Sequence, residues 1–274
     1  MSERDGYQPG VPCWVQTVQP EPKQAVRFYT ELFGWDAVSL MGEDSPGDYF
    51  LCKLRGRDVA AIVSQHGAPA PPEPVWVTHI WVDSADDIAA KVAEAGGSVV
   101  GEPFDSPGGA RVAVLSDPAG AVFCVWQPLE RGGAQLVNEP NAWAMSQLRT
   151  PDPDPAKAFY GEVFGWETDT FGAGEGEVTL WRVPGYVGGE PQQPVSREVV
   201  GAMFVIGEER CADEPPPHWS VDFWVSDADA TAADASRLGG RVILAPHEAP
   251  GFRRAILADP FGAAFSVSEL IVPT

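Results

Sequence analysis

The feature that most constrains this chain is an eight-residue segment that occurs twice. Phe28-Tyr-Thr-Glu-Leu-Phe-Gly-Trp35 returns 131 residues later as Phe159-Tyr-Gly-Glu-Val-Phe-Gly-Trp166. Three further pairs of matching segments follow in the same order: Ile80-Trp-Val82 with Phe223-Trp-Val225, Gly96-Gly97 with Gly239-Gly240, and Asp117-Pro-Ala-Gly120 with Asp259-Pro-Phe-Gly262. A period this long indicates a duplicated domain rather than a short solenoid repeat. We therefore predict two domains, residues 8–128 and 142–274, joined by a linker at residues 129–141.

The charge balance and the cysteines limit the partners and the compartment. The chain has 39 acidic and 18 basic residues and a net charge of −21, which argues against nucleic acid and anionic membranes because both require a basic face. The acidic excess suits either a cationic ligand or simply a solvated surface. The four cysteines form no Cys-x-x-Cys pair, and the first residues contain no apolar signal core. We therefore expect reduced thiols, a cytoplasmic location and no membrane span.

Each half of the sequence shows the order β-α-β-β-β twice. A strand over Val11–Val18 precedes a helix over residues 23–33, which Gly34 should end. Three short strands follow, and then a second unit of the same order. The second half repeats this plan, with strands near Glu177–Val183 and Val199–Ile206 after its first helix. The pattern is typical of an α+β fold assembled from four βαβββ modules.

Two motifs carry a resemblance to a known family. A helix ending in Phe-Tyr-x-x-x-Phe-Gly-Trp and an Asp-Pro-x-Gly turn before the last strand occur in both halves. The chain thereby resembles the vicinal oxygen chelate superfamily, which includes glyoxalase I, extradiol dioxygenases and the bleomycin and fosfomycin resistance proteins. Its linker region, Trp126 to Pro140, is similar to that of actinobacterial two-domain glyoxalase-like proteins, some of them in antibiotic pathways. The resemblance implies an eight-stranded, cupped mixed sheet with flanking helices in each domain, but no single reaction.

The enzymes of that superfamily hold a divalent metal through His and Glu, and the resemblance places the ligand positions. In the first domain they are Trp14, His79 and Cys124, with a fourth near Ile62–Ser64; in the second they are Met145, Asp222 and Ser266, with a fourth near Ala202–Phe204. A divalent site needs three or four protein ligands, so we predict metal-free cups and no cofactor. We then expect His79 to be a hydrogen-bonded polar group that lines a cavity. The alternative is that His79 is a metal ligand and that a shifted strand register brings His66 into the same metal site.

Strand alternation predicts which side chains share each cup. The first set is Trp14, Gln16, His79, Trp81, Cys124 and Trp126, and the second is Trp143, Met145, Gln147, Asp222, Trp224 and Ser266. Tryptophan faces suit flat aromatic ligands and cations, although each tryptophan is equally well explained as core. A one-residue slip would invert both sets. The repeated pairs Trp35 with Trp166 and Trp76 with Trp219 are expected in the core or at the interface.

These observations favour a metal-free protein that binds an aromatic natural product or antibiotic, either neutral or cationic. Its role would be sequestration, self-resistance or assistance to a partner biosynthetic enzyme, as a monomer with pseudo-dimeric domains or as a homodimer. The alternative is an enzyme of the superfamily, a glyoxalase-like lyase, an isomerase or a dioxygenase or hydroxylase, that uses a metal or acid–base chemistry by His79 or Asp222. A third hypothesis is a structural or signalling role with vestigial cups.

Overall fold

The computed structural model describes residues 3–42, 44–65, 73–172, 177–188, 196–206 and 216–271. The helices are Pro22–Phe33 (α1), Ala85–Glu94 (α2), Pro153–Phe164 (α3) and Ala228–Arg237 (α4). The strands of the first half are Pro12–Gln19 (β1), Asp36–Ser39 (β2), Tyr49–Leu54 (β3), Arg57–Ser64 (β4), Val75–Trp81 (β5), Ser98–Ser106 (β6), Ala110–Ser116 (β7) and Val122–Pro128 (β8). Those of the second half are Trp143–Thr150 (β9), Glu167–Phe171 (β10), Val178–Arg182 (β11), Val199–Val205 (β12), His218–Trp224 (β13), Arg241–Ala249 (β14), Phe252–Ala258 (β15) and Ala264–Leu270 (β16).

Each half forms one eight-stranded mixed sheet. The strand order is β2-β3-β4-β1-β5-β8-β7-β6 in the first sheet and β10-β11-β12-β9-β13-β16-β15-β14 in the second. The two modules of a sheet meet where β1 runs antiparallel to β5 and where β9 runs antiparallel to β13. The predicted α+β fold of two tandem domains is confirmed. The sequence had not indicated β10, a short strand of Glu and Thr residues whose mostly polar pattern gives little periodic signal.

The repeated segment forms a helix and its stop in both halves. Pro22 and Pro153 occupy the first turns of α1 and α3, where a missing N–H costs nothing. Gly34 and Gly165 adopt the left-handed conformation, with φ of 67° and 71°, so each ends its helix as predicted. Among the described residues, no helix is long and apolar enough to cross a membrane.

The two repeated motifs bind each other across the domain interface. The Tyr29 hydroxyl, on α1 of the first domain, donates to the Asp259 carboxylate in the turn of the second, at 3.0 Å. Reciprocally, Tyr160 on α3 donates to Asp117 at 3.2 Å. The indoles of Trp76 and Trp219 donate to these tyrosine oxygens at 2.9 and 2.7 Å. The repeated motifs that reveal the duplication therefore also supply hydrogen bonds that hold the two domains together.

The interface tryptophans confirm the prediction that the repeated Trp pairs are core or interface residues. Trp35, Trp76, Trp166 and Trp219 are all buried. The Trp35 indole donates to the Asn141 carbonyl, and the Trp166 indole donates to the Gly10 carbonyl, each at 2.7 Å. Each hydrogen bond joins a helix end of one half to a chain segment beside the other sheet.

The segment between the two sheets packs along the first one. The Ala134 amide donates to the Cys13 carbonyl, and the Gln135 amide donates to the Asp58 carbonyl. Arg131 forms a salt bridge with the buried Asp58 at 2.9 Å. These bonds anchor the connection to the first sheet, while the boundaries 8–128, 129–141 and 142–274 stay predictions.

The repeated glycine pairs allow a close approach of the helix-to-strand turns to the opposite domain. A Cβ on Gly97 would lie 2.5 Å from the Ser116 carbonyl oxygen and 3.0 Å from the Phe159 ring. A Cβ on Gly240 would lie 2.6 Å from the Ala258 oxygen and 3.0 Å from the Phe28 ring. Any side chain at the second glycine of each pair would collide with a backbone carbonyl oxygen, so glycine is required there.

Gly97→Ala is accordingly expected to reduce the free energy of unfolding by about 2 kcal/mol, because the turn must move to relieve the overlap. Urea titration followed by circular dichroism measures this change. Gly161→Ala is the matched control: Gly161 lies inside α3 and its added Cβ would come no closer than 3.4 Å to a neighbour. Alanine favours the helix there, so stability should stay the same or rise. Equal losses in both variants would contradict the packing argument.

Candidate ligand site in the cup of the second domain

The strand register places each predicted set of residues on one face of its sheet, except that the prediction for Trp143 is wrong: a register shift pairs Trp143 with Phe223, on the opposite face from Asp222. In the first sheet Trp14 pairs with His79, which pairs in turn with Cys124. In the second, Met145 pairs with Asp222, and Asp222 with Ser266. Directly paired residues point to the same side of a sheet, so these rows define the concave faces. We call them the first cup and the second cup.

The first cup is filled by its own side chains. The rings of Trp14 and Trp126 lie 5.6 Å apart, and the His79 ring meets Trp126 edge-on at 5.7 Å. Trp14, His79, Cys124 and Trp126 are each at most 3% exposed. A Cβ on Gly108 would lie 2.3 Å from the Tyr49 hydroxyl, so the turn between β6 and β7 closes directly over that ring. Trp81 lies at the rim, 6.2 Å from the Tyr7 ring.

The second cup encloses a cavity of about 600 Å³. Its walls are largely aromatic and aliphatic: Met145, Phe171, Val178, Leu180, Phe204, Trp224 and Phe252. The Trp224 and Phe252 rings lie 6.4 Å apart, tilted by 44°. A mostly apolar cavity of this size with a few convergent polar groups is the usual form of a small-molecule site.

Two substitutions at equivalent positions explain why one cup is full and the other open. Met145 stands where the first domain has Trp14, and Ser268 stands where it has Trp126. The two tryptophans supply the volume that fills the first cup. Protein interiors are otherwise packed nearly without voids. Methionine and serine side chains are smaller than tryptophan, so they leave that space unoccupied by protein in the second cup.

The floor of the cavity is polar. The Asp222 carboxylate accepts a hydrogen bond from the Ser268 hydroxyl at 2.8 Å and one from the Arg254 guanidinium at 3.4 Å. Arg254 Nε also donates to the Ser268 oxygen, at 3.1 Å. Burial raises the pKa of Asp222, and the positive charge of Arg254 opposes that shift. Gln147 Oε1 is buried with no hydrogen-bond partner among the described residues, so it can accept one from a ligand.

The predicted residues are divided between the cavity and the core. Met145, Gln147, Asp222 and Trp224 line the cavity. Ser266 is buried, and Trp143 is buried beside a small cleft that it shares with Tyr7. In the first domain, Gln16 is partly buried on the concave face, and the space around Trp14, His79, Cys124 and Trp126 is taken up by the side chains themselves. The prediction that His79 is hydrogen-bonded is wrong, because neither of its ring nitrogens has a hydrogen-bond partner among the described residues. Ligand contact by these residues stays a prediction.

Several lining residues were not found from the sequence. Arg254 and Phe252 come from β15, Phe204 from β12 and Phe171 from β10. The alternation of Phe252 and Arg254 on one strand was the available signal. It could not be used without the register that pairs Arg254 with Ser268.

The residues at the metal-ligand positions do not fit the divalent site of the superfamily's enzymes. Within the described ranges, no group of three or more His, Cys, Asp or Glu side chains could hold an ion. Burial lowers the pKa of His79 to about 3 and raises that of the Cys124 thiol to about 12. The fourth positions carry apolar side chains such as Ile62 and Ala202. His66, the alternative fourth ligand, lies outside the described residues.

Comparisons with known proteins agree with this architecture. Residues 14–125 match the model of the Glyoxalase/Bleomycin resistance protein/Dioxygenase superfamily, and residues 143–268 match that of a glyoxalase-like domain. "Putative glyoxylase CFP32" of Mycobacterium bovis is 37% identical over 273 residues, covering 97% of each chain. The anthracycline biosynthesis protein DnrV of Streptomyces peucetius is 33% identical over 280 residues, covering 96% of this chain and 94% of its own.

Solved structures share the fold at low sequence identity. The Mn(II)-bound glyoxalase of Novosphingobium aromaticivorans has a TM-score of 0.62 at 18% identity, covering 96% of this chain and 82% of its own. The 2,3-dioxygenase LapB of Pseudomonas sp. KL28 has a TM-score of 0.62 at 13% identity, covering 98% and 96%. The resemblance found in the sequence is thus confirmed: this chain belongs to the glyoxalase/bleomycin resistance protein/dioxygenase superfamily, also called the vicinal oxygen chelate superfamily, as a protein of two tandem domains.

Proposed function

We propose that this protein binds an aromatic small molecule in the second cup, without a metal. The observation that carries the proposal is the cavity of about 600 Å³, walled by Trp224 and other aromatic rings and floored by Asp222, Arg254, Ser268 and Gln147. Aromatic walls select flat apolar rings, and a few polar groups orient them. The first cup, filled by Trp14 and Trp126, is the contrasting case within the same chain.

The biological setting we propose is an antibiotic pathway. Support comes from the relatives in anthracycline biosynthesis, DnrV of Streptomyces peucetius and DauV of Streptomyces sp.. The role would be sequestration, self-resistance or delivery to a partner biosynthetic enzyme in the cytoplasm. The buried free thiols of Cys13, Cys52 and Cys124 suit a reducing compartment. The Tyr29–Asp259 and Tyr160–Asp117 contacts suit a monomer whose two domains form a pseudo-dimer.

Trp224→Ala is expected to weaken binding of a fused-ring aromatic ligand by about tenfold to a hundredfold, since it removes one wall and its stacking energy. Isothermal titration calorimetry with a neutral fused-ring aromatic, anthracene-2-carboxamide, measures the change. Trp81→Ala is the matched control, because Trp81 occupies the equivalent position at the rim of the filled cup. Equal losses of affinity in both variants would place the site elsewhere. If neither wild type nor the variants bound the ligand saturably, the proposal would be refuted.

The absence of a metal requirement is tested separately. Native mass spectrometry and metal analysis are carried out on the same sample of protein purified from its own host. They should show a bound organic compound and no stoichiometric divalent ion. One divalent ion per domain would refute the metal-free part of the proposal and place the enzyme hypothesis first.

The second candidate function is catalysis of the lyase, isomerase or oxygenase type. It is favoured by one observation: the buried carboxyl of Asp222, whose pKa burial raises, lies inside the cavity beside Ser268. Such a group can hold or move a proton next to a bound ligand. His79 is less suited, because Trp14 and Trp126 occupy the space around it. Turnover of a bound ligand that Asp222→Asn abolishes, without loss of affinity, would establish this candidate.

A further inference from the structure

We propose that the second cup is selective for aromatic ligands that carry an anionic group, such as a carboxylate, and that Arg149 and Arg254 are the residues that recognise it. The inference rests on the proposed function, since it names the chemical class of ligand for the same cavity. It runs against the net charge of the chain, which would suggest a cationic ligand.

Arg254 presents a guanidinium to the cavity with hydrogen-bonding capacity to spare. Its side chain lines the cavity and is 19% exposed. Nε donates to Ser268 at 3.1 Å, and the contact of Nη2 with Asp222 is long, at 3.4 Å. A guanidinium has five N–H donors in a planar fork that matches a carboxylate. Two donors are used here, so others can meet a ligand oxygen.

Arg149 adds a second positive charge to the same face. It follows Gln147 by two residues on β9 and lies beside Phe204, a wall residue, with its guanidinium carbon 5.3 Å from the ring centroid. Among the described residues it has no acidic partner. Burial lowers the pKa of Arg149, and the nearby charge of Arg254 lowers it further. A guanidinium on this face of the sheet, with no acidic partner among the described residues, is a group that a ligand anion can pair with.

The acidic residues that line the cavity already have cationic partners. Asp222 accepts from Arg254 at 3.4 Å, and the other acidic lining residue, Asp169, shares Arg182 with Glu167 and Glu198. His218, in register with Arg149 on the neighbouring strand, has its pKa lowered, first by burial. Among the described residues, Arg149 therefore remains without an acidic partner beside the cavity of a chain whose net charge is −21.

The two arginines occur only in the open cup. The strand register makes Val18 the equivalent of Arg149 and Val112 the equivalent of Arg254. Both valines are buried in the core of the first domain. The fold itself therefore does not require a cation at either position, and a buried guanidinium costs desolvation that a ligand anion would offset.

The test compares three probes of the same shape: anthracene-2-carboxylate, its neutral carboxamide and the cationic 2-(aminomethyl)anthracene. Calorimetry on the full chain should give a dissociation constant about tenfold lower for the carboxylate than for the carboxamide, and the weakest binding for the amine. Arg149→Met should abolish the carboxylate preference, so that the carboxylate and the carboxamide bind with similar dissociation constants. Arg253→Met is the control, because Arg253 lies next to Arg254 but is bound to Asp229 on the outer side.

Asp222→Asn provides a variant that acts in the opposite direction. Removing the competing carboxylate frees Arg254, so the ratio of carboxylate affinity to carboxamide affinity should rise severalfold over that of wild type. Equal affinity of wild type for all three probes, or a preference for the amine, would overturn anion selectivity and leave the binding proposal standing. Failure of every probe to bind would overturn the proposed function itself.

Discussion

Asp259→Ala is expected to lower the free energy of unfolding by about 4 kcal/mol, because it leaves several buried donors without an acceptor. The Asp259 carboxylate accepts from Gln19 at 2.6 Å, from Tyr29 at 3.0 Å, and from the amides of Phe261 and Ala263 at 2.9 Å each. Gln19 and Tyr29 belong to the first domain. One substitution in the second domain should therefore destabilise both, and unfolding should stay a single cooperative transition at lower denaturant.

Guanidinium titration followed by tryptophan fluorescence and circular dichroism measures this effect. Asp117→Ala, at the pseudo-symmetric position, should show a similar loss, since Asp117 accepts from Tyr160 and from the amides of Ala119 and Ala121. Asp234→Ala is the control, because its only described side-chain partner is the exposed Arg237, and exposed pairs contribute little. A loss below about 1 kcal/mol for both turn aspartates would mean that the reciprocal contacts do not hold the domains together.

The double variant Met145→Trp/Ser268→Trp is expected to weaken ligand binding by more than about a hundredfold, or roughly 3 kcal/mol. It installs in the second cup the residues that Trp14 and Trp126 provide in the first, where their rings meet at 5.6 Å. The cavity between Trp224, Phe252 and Phe204 should then be closed by protein. Calorimetry with the ligand that wild type binds checks the loss, and near-ultraviolet circular dichroism checks that the variant stays folded.

Ile243→Trp controls for the added aromatic surface, since Ile243 is exposed on the edge strand β14, away from the cup. Its affinity should equal that of wild type. Retained binding in a folded double variant would show that the ligand does not occupy the second cup. Overpacking costs stability as well, so the single variant Met145→Trp is measured beside it and should give a smaller loss of affinity.

Much of the fold could be predicted because its signals are local or repeated. Gly34 and Gly165 end helices for reasons of backbone conformation that a short window contains. Period-two alternation identified the concave faces, and the register that pairs His79 with Cys124 and Asp222 with Ser266 agrees with it. By contrast β10, with mostly polar residues and little alternation, gave no such signal.

The partners of the motifs were beyond any local signal. The helix motif and the Asp-Pro-x-Gly turn were evident as repeats, but that Tyr29 meets Asp259 follows from the packing of one domain on the other. The same limit applies to the cavity. Phe171, Phe204 and Arg254 come from three strands, and their convergence depends on strand order and twist rather than on sequence distance.

By itself, the amino-acid sequence determined that the chain is a duplicated α+β protein of this superfamily, because a repeated pattern of helix stops, turns and alternating strands allows few other folds. Only the tertiary structure decided that the two cups differ. Whether a cup is full or open depends on the summed volume of side chains converging from many strands, to which Trp14 and Trp126 contribute in one domain and Met145 and Ser268 in the other. The local charge likewise depends on which groups share a small enclosed space, so the net charge of −21 did not reveal the two arginines of the second cup.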